Sequence, residues 1–112
     1  MPHFLIEGSY TADGLRGLAK DKASGREAAV KTALETLGGK LIGVYYALGE
    51  EDVFVICECP DHVTAAALAL TASSSGLIKT KTIPLMTVAE TDKALTMNTK
   101  YRAPGPSHAA KA

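Results

Sequence analysis

Three residues that could bind a metal ion lie close together in the middle of the chain. Cys57, Cys59 and His62 fall within six residues, and Asp61 stands beside the histidine. Thiolates and imidazoles are soft ligands that suit zinc or copper. The set is incomplete for a structural zinc site, which needs a fourth ligand, and His3 is one candidate for it. The alternative is that both cysteines are packed, reduced side chains and that His62 is solvated.

A second set of residues could bind a small molecule. Tyr45 and Tyr46 are adjacent, and with Tyr10, Glu7 and His3 they could line a pocket that holds a small aromatic ligand. Tyrosine combines an apolar ring with a hydrogen-bonding hydroxyl, which serves such a pocket. The same residue type also serves ordinary core and interface packing, so this alternative stays open.

The glutamates in apolar stretches are candidates for acid–base chemistry. A buried carboxyl group such as Glu7 or Glu58 can have a raised pKa and act as a general acid or base. The strand pairing we expect places these two glutamates on opposite faces of the sheet, which argues against a paired acid and base. The alternative is an ion pair with Lys79 or Lys81.

Composition excludes several classes of partner. The chain has 112 residues, a formal net charge of zero and 21% charged residues. Nucleic acids and anionic membranes select a clear positive excess, so neither is an expected partner. There is no glycine-rich phosphate loop, and we expect no cofactor. The N-terminal residues lack the pattern of a signal peptide, and the expected location is the cytoplasm.

Hydrophobic periodicity places these residues on a sheet with helices on one face. Strands are predicted at 3–10, 40–48, 53–59 and 77–83, where β-forming residues dominate. Helices are predicted after the capping residues Thr11, Ser24, Asp61 and Thr87, with a polar break at 20–23. The glycine pair at 38–39 ends the second helix, and Pro84 ends the fourth strand. The order β-α-β-β-α-β plus a C-terminal helix predicts a ferredoxin-like α+β fold over 1–97, followed by a flexible tail over 98–112.

The predicted sheet leaves one face without helices. Pairing the hairpin around Glu50 places Tyr46 with Phe54 and Ile56, and Tyr45 with Val53 and Val55. Neither set is polar, and an apolar sheet face of this size is typically an interface. We therefore expect a homodimer or a larger even oligomer, with Val55 in the interface. The alternative is a monomer in which the last helix and the tail cover this face.

Several short segments carry a resemblance to a known family. They are Gly8-Ser-Tyr-Thr11, Gly14-Leu-Arg-Gly-Leu18, Leu37-Gly-Gly-Lys40, Tyr45-Tyr46, the turn residues Gly49 and Asp52, and Thr82-Ile-Pro-Leu-Met-Thr87. In these the chain resembles the GYD family of small bacterial proteins, from Phe4 to Leu95. The resemblance implies a dimeric α/β-barrel type of ferredoxin-like fold. The chain departs from the family at Glu51, where a tyrosine is common, and the resemblance implies no particular activity.

Three functional hypotheses remain. The first is a homo-oligomeric module that binds a small molecule or assembles with itself. The second is a cofactor-free isomerase, monooxygenase or lyase on the same scaffold. The third is a metal-binding protein that uses Cys57, Cys59 and His62. The sequence favours the first, because no nucleophile, base and orienting group occur together.

Overall fold

The computed structural model describes residues 1–105, which form one four-stranded sheet and three helices. The elements in chain order are β1 (His3–Tyr10), α1 (Ala12–Thr36), β2 (Lys40–Tyr46), β3 (Val53–Glu58), α2 (His62–Ser74), β4 (Ile78–Leu85) and α3 (Val88–Leu95). The strand order is β2-β3-β1-β4, and every neighbouring pair is antiparallel. This is the ferredoxin-like α+β arrangement that the periodicity predicts. The predicted tail over 98–112 lies partly outside the described residues.

Three of the predicted helix caps are formed. The Thr11 hydroxyl accepts a hydrogen bond from the Gly14 N–H at 3.1 Å, and the Asp61 carboxylate accepts one from the Thr64 N–H at 2.8 Å. Thr87 and Glu90 form the reciprocal capping box that their spacing predicts. Each cap satisfies backbone N–H groups that have no partner within the helix.

The predicted break before Ser24 is a kink inside one helix rather than a gap between two. Helix α1 runs from Ala12 to Thr36, but Lys22 has φ 68° and ψ 161°. A lysine in this region of φ is uncommon, and here it changes the direction of the helix. Ser24 lies two residues beyond the kink, within the helical segment.

The glycines at the C-terminal end of α1 stop it as predicted. Gly38 has φ 77°, its N–H donates to the Glu35 carbonyl, and the Gly39 N–H donates to the Leu34 carbonyl. This hydrogen-bond pattern is a Schellman motif, which requires a left-handed residue that only glycine adopts without strain. The chain then enters β2 directly.

Two strand predictions need correction. Strand β4 continues through Pro84 to Leu85, whereas the sequence predicted an end at the proline. β4 is an edge strand, paired only with β1, and an edge strand tolerates a residue without an N–H. In β2 a bulge lies between Leu41 and Gly43, so that Gly43 pairs with Ile56 and Tyr46 with Val53. The extra residue, Ile42, inverts the predicted facing of everything that follows it in β2.

The core lies between the sheet and helices α1 and α2. Its buried residues come from alternate positions of the two central strands and from the helices; they are Phe4, Ile6, Val53, Val55, Cys57, Cys59, Leu34, Ala65 and Ala69. The interface prediction for Val55 is therefore wrong: this side chain is 8% exposed and belongs to the core. The larger side chains of α2 do not all face the core, since Val63 and Leu70 are exposed. Alanines face the sheet because small side chains let the helix approach it closely.

Candidate functional site

The face of the sheet opposite helices α1 and α2 is the first candidate site, and we call it the open face. Its three central rows follow from the strand register: Lys40, Glu58, His3 and Leu85; Gly43, Ile56, Leu5 and Ile83; Tyr45, Phe54, Glu7 and Lys81. The middle row is apolar apart from its glycine. Tyr45 is 64% exposed and Ile83 is 39% exposed. An apolar sheet face that water still reaches is suited to binding another surface.

Charged groups flank the apolar centre of the open face. Glu58 lies 4.0 Å from His3 Nε2 and 3.9 Å from the N-terminal amine. Glu7 pairs in register with Lys81, whose ammonium lies 3.4 Å from Glu51. The prediction that Glu7 and Glu58 lie on opposite faces is wrong, because both belong to the open face. They lie in different rows, with the apolar row between them.

The predicted small-molecule set is divided between the two faces of the sheet. His3, Glu7 and Tyr45 lie on the open face, whereas Tyr46 is opposite Val53 on the face that the helices cover. The bulge at Ile42 causes this division. Tyr10 lies with Tyr46 on the helix-covered side, so the five predicted residues do not line one pocket within a single chain.

A cavity of about 340 Å³ lies on the helix-covered side. Helix α1 packs on β1 and β2, and α2 packs on β4, so that the two helices stand apart above the central strands. Much of the lining is aliphatic, contributed by Ile6, Val44, Val53, Leu68 and Ile78. Small residues also line the cavity; they are Gly8, Gly14, Gly17, Ala69 and Ala72.

One part of the cavity lining is polar. Tyr10, Tyr46, Asp21 and Arg26 lie there, and the Arg26 guanidinium is 3.6 Å from the Asp21 carboxylate. Burial, and next the neighbouring Tyr10 phenol, raise the pKa of Tyr46 to about 12. The Tyr46 hydroxyl is therefore neutral at physiological pH and remains a hydrogen-bond donor. Sequence reasoning placed Tyr10 and Tyr46 together in a pocket but did not find the rest of this lining.

The two cysteines are packed in the core. Both are free and fully buried. Burial raises the pKa of Cys57 to about 12, and the second cause is the electrostatic effect of the neighbouring Cys59 on the ionised form. Burial also raises the pKa of Cys59. Thiols of this kind stay protonated at neutral pH, whereas metal ligands and nucleophiles are thiolates. His62 is exposed at the start of α2, and residues 1–105 contain no group of three or more metal-binding side chains.

The turn between β2 and β3 is fixed to the end of β1. The Asp52 carboxylate accepts a hydrogen bond from the Tyr10 N–H at 2.8 Å, and the Ser9 hydroxyl donates to Glu51 at 2.9 Å. Gly49 does not have a positive φ, and a β-carbon there would meet no atom within 4 Å. Of the two predicted turn residues, Asp52 thus makes a structural contact, while nothing in the geometry of the turn requires glycine at position 49.

Helix α3 follows β4 and leaves its apolar side chains in solvent. None of its residues is buried; Val88 is 80% exposed and Leu95 is 78% exposed. Met86 and Met97, which flank the helix, are both 64% exposed. The capping box satisfies backbone N–H groups at the N-terminus of the helix. This cluster of exposed apolar residues is a second candidate surface for a partner.

The comparisons with known proteins agree with this architecture. A family profile described as the GYD domain matches residues 4–95. The chain belongs to the GYD domain family. Its GYD domain thus spans all seven elements, from Phe4 to the last residue of α3. The resemblance carried by the glycine and tyrosine motifs is confirmed.

One relative of this GYD domain has a name that describes what it binds. It is a protein of Thermus thermophilus named glutamine synthetase and cystathionine beta-lyase binding protein. The two are 32% identical over 91 residues, which cover 80% of this chain and 94% of the relative. No solved structure matches the chain significantly. None of the described helices is long and apolar enough to cross a membrane.

Proposed function

We propose that this GYD domain is a homodimeric assembly module of the cytoplasm that binds an enzyme. Two copies associate through their open faces, and the dimer presents its remaining apolar surface to a partner. The observation that carries the proposal is the open face itself, where Leu5, Phe54 and Ile56 form an apolar centre that no described helix covers. Removing such a surface from water is favourable by roughly 25 cal/mol per Å² of apolar area.

The charge pattern of the open face favours a second copy as its occupant. Acidic Glu7 and Glu58 belong to the central strands, and basic Lys79 and Lys81 to the edge strand β4. In a dimer with twofold symmetry the same patch serves both partners, so the patch must be complementary to itself. A face with an apolar centre and both signs of charge around it meets that condition, whereas a face of one sign would repel its copy.

The relative supports an enzyme as the further partner. Its name describes binding to glutamine synthetase and to cystathionine beta-lyase, and it is similar to this chain over nearly its whole length. Helix α3 offers a surface for such a partner, since Val88 and Leu95 are exposed. The two cysteines are buried and protonated, so they do not supply a catalytic nucleophile.

The dimer is tested by replacing Ile56, which lies at the centre of the open face. Ile56→Asp places a charge where two copies would meet, and we expect it to halve the molar mass measured by light scattering after size exclusion. Val63→Asp is the matched control, because Val63 is 64% exposed on α2, away from the open face. A wild-type protein that is monomeric, or an Ile56→Asp protein that stays dimeric, contradicts the dimer.

The enzyme partner is tested with purified components. Biolayer interferometry measures binding to the immobilised wild-type protein. It is titrated with glutamine synthetase and, separately, with cystathionine beta-lyase, both from the organism that this protein comes from. We expect saturable binding of at least one enzyme, and loss of at least tenfold in affinity for the double variant Val88→Ser, Leu95→Ser. Absence of binding by both enzymes contradicts this part of the proposal and leaves the dimer standing.

A further inference from the structure

We propose that the cavity between the sheet and helices α1 and α2 binds a neutral, mainly apolar small molecule that carries one hydrogen-bonding oxygen. This ligand site is separate from the dimer and enzyme-binding surfaces. It lies on the opposite side of the sheet from the open face, and one chain supplies all of the described lining. The inference therefore does not depend on the proposed assembly function.

The size of the cavity sets the size of the ligand. Small-molecule sites in proteins measure roughly 300–1,000 Å³, and this cavity of about 340 Å³ lies near the lower end. Protein cores otherwise contain few spaces larger than a water molecule. A cavity of this size fits a molecule with one or two fused rings.

The lining sets the chemistry of the ligand. Ile6, Val53 and Ile78 present aliphatic surface from the central strands and β4, which suits an apolar ring system. Tyr10 and Tyr46 present phenol groups to the same space. A ligand oxygen placed there can exchange hydrogen bonds with these hydroxyls. The only opposite charges of the described lining, Asp21 and Arg26, neutralise each other as an ion pair, so the lining does not select an anion or a cation.

Two glycines contribute differently to the cavity lining. A β-carbon on Gly8 would lie 2.6 Å from Ile78 and 2.9 Å from Val53, so these two side chains approach the strand backbone closely. Gly17 lines the cavity from α1, and a β-carbon there would meet no atom within 4 Å. Glycine in the interior of a helix costs about 1 kcal/mol relative to alanine. A side chain at position 17 would fill space that the glycine leaves free.

The probe for the test is 2-naphthol, a fused two-ring phenol with a single hydroxyl group. We expect isothermal titration of the wild-type protein to show saturable binding with one site per chain. Binding should also shift the amide signals of Gly8, Gly14 and Gly17 in nitrogen–proton correlation spectra. A failure to bind in a saturable manner overturns the proposal, whatever the oligomeric state of the protein.

Matched variants locate the probe. Gly17→Leu should weaken binding at least tenfold, whereas Gly25→Leu, in the same helix but outside the cavity, should leave it unchanged. Ala72→Leu is a second cavity-filling variant, for the case in which Gly17→Leu does not fold. Tyr46→Phe, which removes one hydroxyl from the lining, should weaken binding by about three- to tenfold.

Ile56→Asp separates the cavity from the open face. Because Ile56 does not line the cavity, this variant should bind 2-naphthol as the wild-type protein does. Loss of binding in Ile56→Asp with full binding in Gly17→Leu and Ala72→Leu would place the probe on the open face and overturn the cavity as its site.

Discussion

The Asp52 carboxylate accepts a hydrogen bond of 2.8 Å from the backbone N–H of Tyr10, the last residue of β1. The Asp52 N–H in turn donates to the Gly8 carbonyl at 2.8 Å. A single residue of the turn thus satisfies one donor and one acceptor of the central strand. Side chains of Asp and Asn commonly organise turns, but here the carboxylate acts across more than 40 residues of sequence.

Loss of this carboxylate should destabilise the fold. Asp52→Ala leaves the Tyr10 N–H without its partner, and we expect the free energy of unfolding to fall by about 1.5–3 kcal/mol, as for other hydrogen bonds to charged groups. Urea titration followed by circular dichroism measures the change. Asp92→Ala is the control, because Asp92 is exposed on α3, and it should alter stability by less than about 0.5 kcal/mol. Equal effects of the two substitutions would show that the Asp52 contact contributes nothing.

Val55 and Ile56 should respond differently to the same substitution. Val55→Asp places an unpaired charge in the core, since Val55 is 8% exposed, and we expect loss of the folded state. Ile56→Asp affects the open face, and we expect a folded protein with a normal circular dichroism spectrum. A folded Val55→Asp protein with native stability would contradict the register between β1 and β3.

Two glycines of the chain should tolerate alanine very differently. A β-carbon on Gly14 would lie 2.0 Å from the Leu77 carbonyl oxygen, where the start of α1 touches the backbone before β4. Gly14→Ala should therefore lower the free energy of unfolding by more than about 2 kcal/mol, because backbone must move. Gly49→Ala meets open space at an ordinary φ and should be neutral or stabilise by up to about 1 kcal/mol. Thermal unfolding of both variants beside the wild type measures this contrast.

The buried thiol of Cys57 should make stability fall in alkaline solution. Burial raises its pKa from an ordinary value of 9.0 to about 12. Between these two values the folded protein retains a proton that the unfolded chain releases, so the stability from this group is complete below pH 9 and is lost as the pH rises towards 12. The slope for one group is at most about 1.4 kcal/mol per pH unit.

The variant Cys57→Ala isolates this effect. Urea unfolding between about pH 8 and pH 10.5 should give a smaller loss of stability with pH in Cys57→Ala than in the wild type, although the variant is less stable overall. Tyr46→Phe is the control, because Tyr46 begins to contribute only above its ordinary pKa of 10.0. Identical slopes in Cys57→Ala and the wild type would mean that the thiol is accessible to water.

Local signals predicted most of the fold. The caps at Thr11, Asp61 and Thr87 and the glycine stop at Gly38 are each formed by short-range hydrogen bonds, which depend on residues within a few positions. Such contacts can be inferred from sequence. The order of strands and helices followed from these boundaries together with the periodicity of the apolar residues.

The facing of the strands could not be predicted in the same way. The hairpin prediction assumed regular pairing through β2, and the extra residue at Ile42 changes the face of Val44, Tyr45 and Tyr46 at once. Gly43 lies directly at the bulge and is a signal for it, because glycine inside a strand often marks one, but the hairpin prediction did not use this signal. The residues predicted to bind a small molecule are divided between two faces because of this bulge. Tyr46 lines the cavity, while Glu7, His3 and Tyr45 lie on the open face.

The cavity needed the three-dimensional structure for a different reason. Its residues come from helices α1 and α2 and from all four strands, and the space depends on the distance between the two helices. That distance follows from how the helices pack over different strands of the same sheet face, which sequence spacing does not determine. Of the glycines that line the cavity, only Gly17 has open space around it, whereas Gly8 and Gly14 allow close approach of neighbouring groups.

The bulge in β2 also has a consequence for how the length of this chain can vary. Leu41 pairs with Cys57 and Gly43 with Ile56, so Ile42 is the one residue of β2 that has no partner of its own. Deleting Ile42 would give a regular ladder in which every other residue of β2 keeps its present neighbour and its present face. In all other positions of a strand, removing one residue exchanges inside and outside for the remainder of that strand. Position 42 is therefore the place at which one residue can be deleted from β2 without a change in the protein's two surfaces.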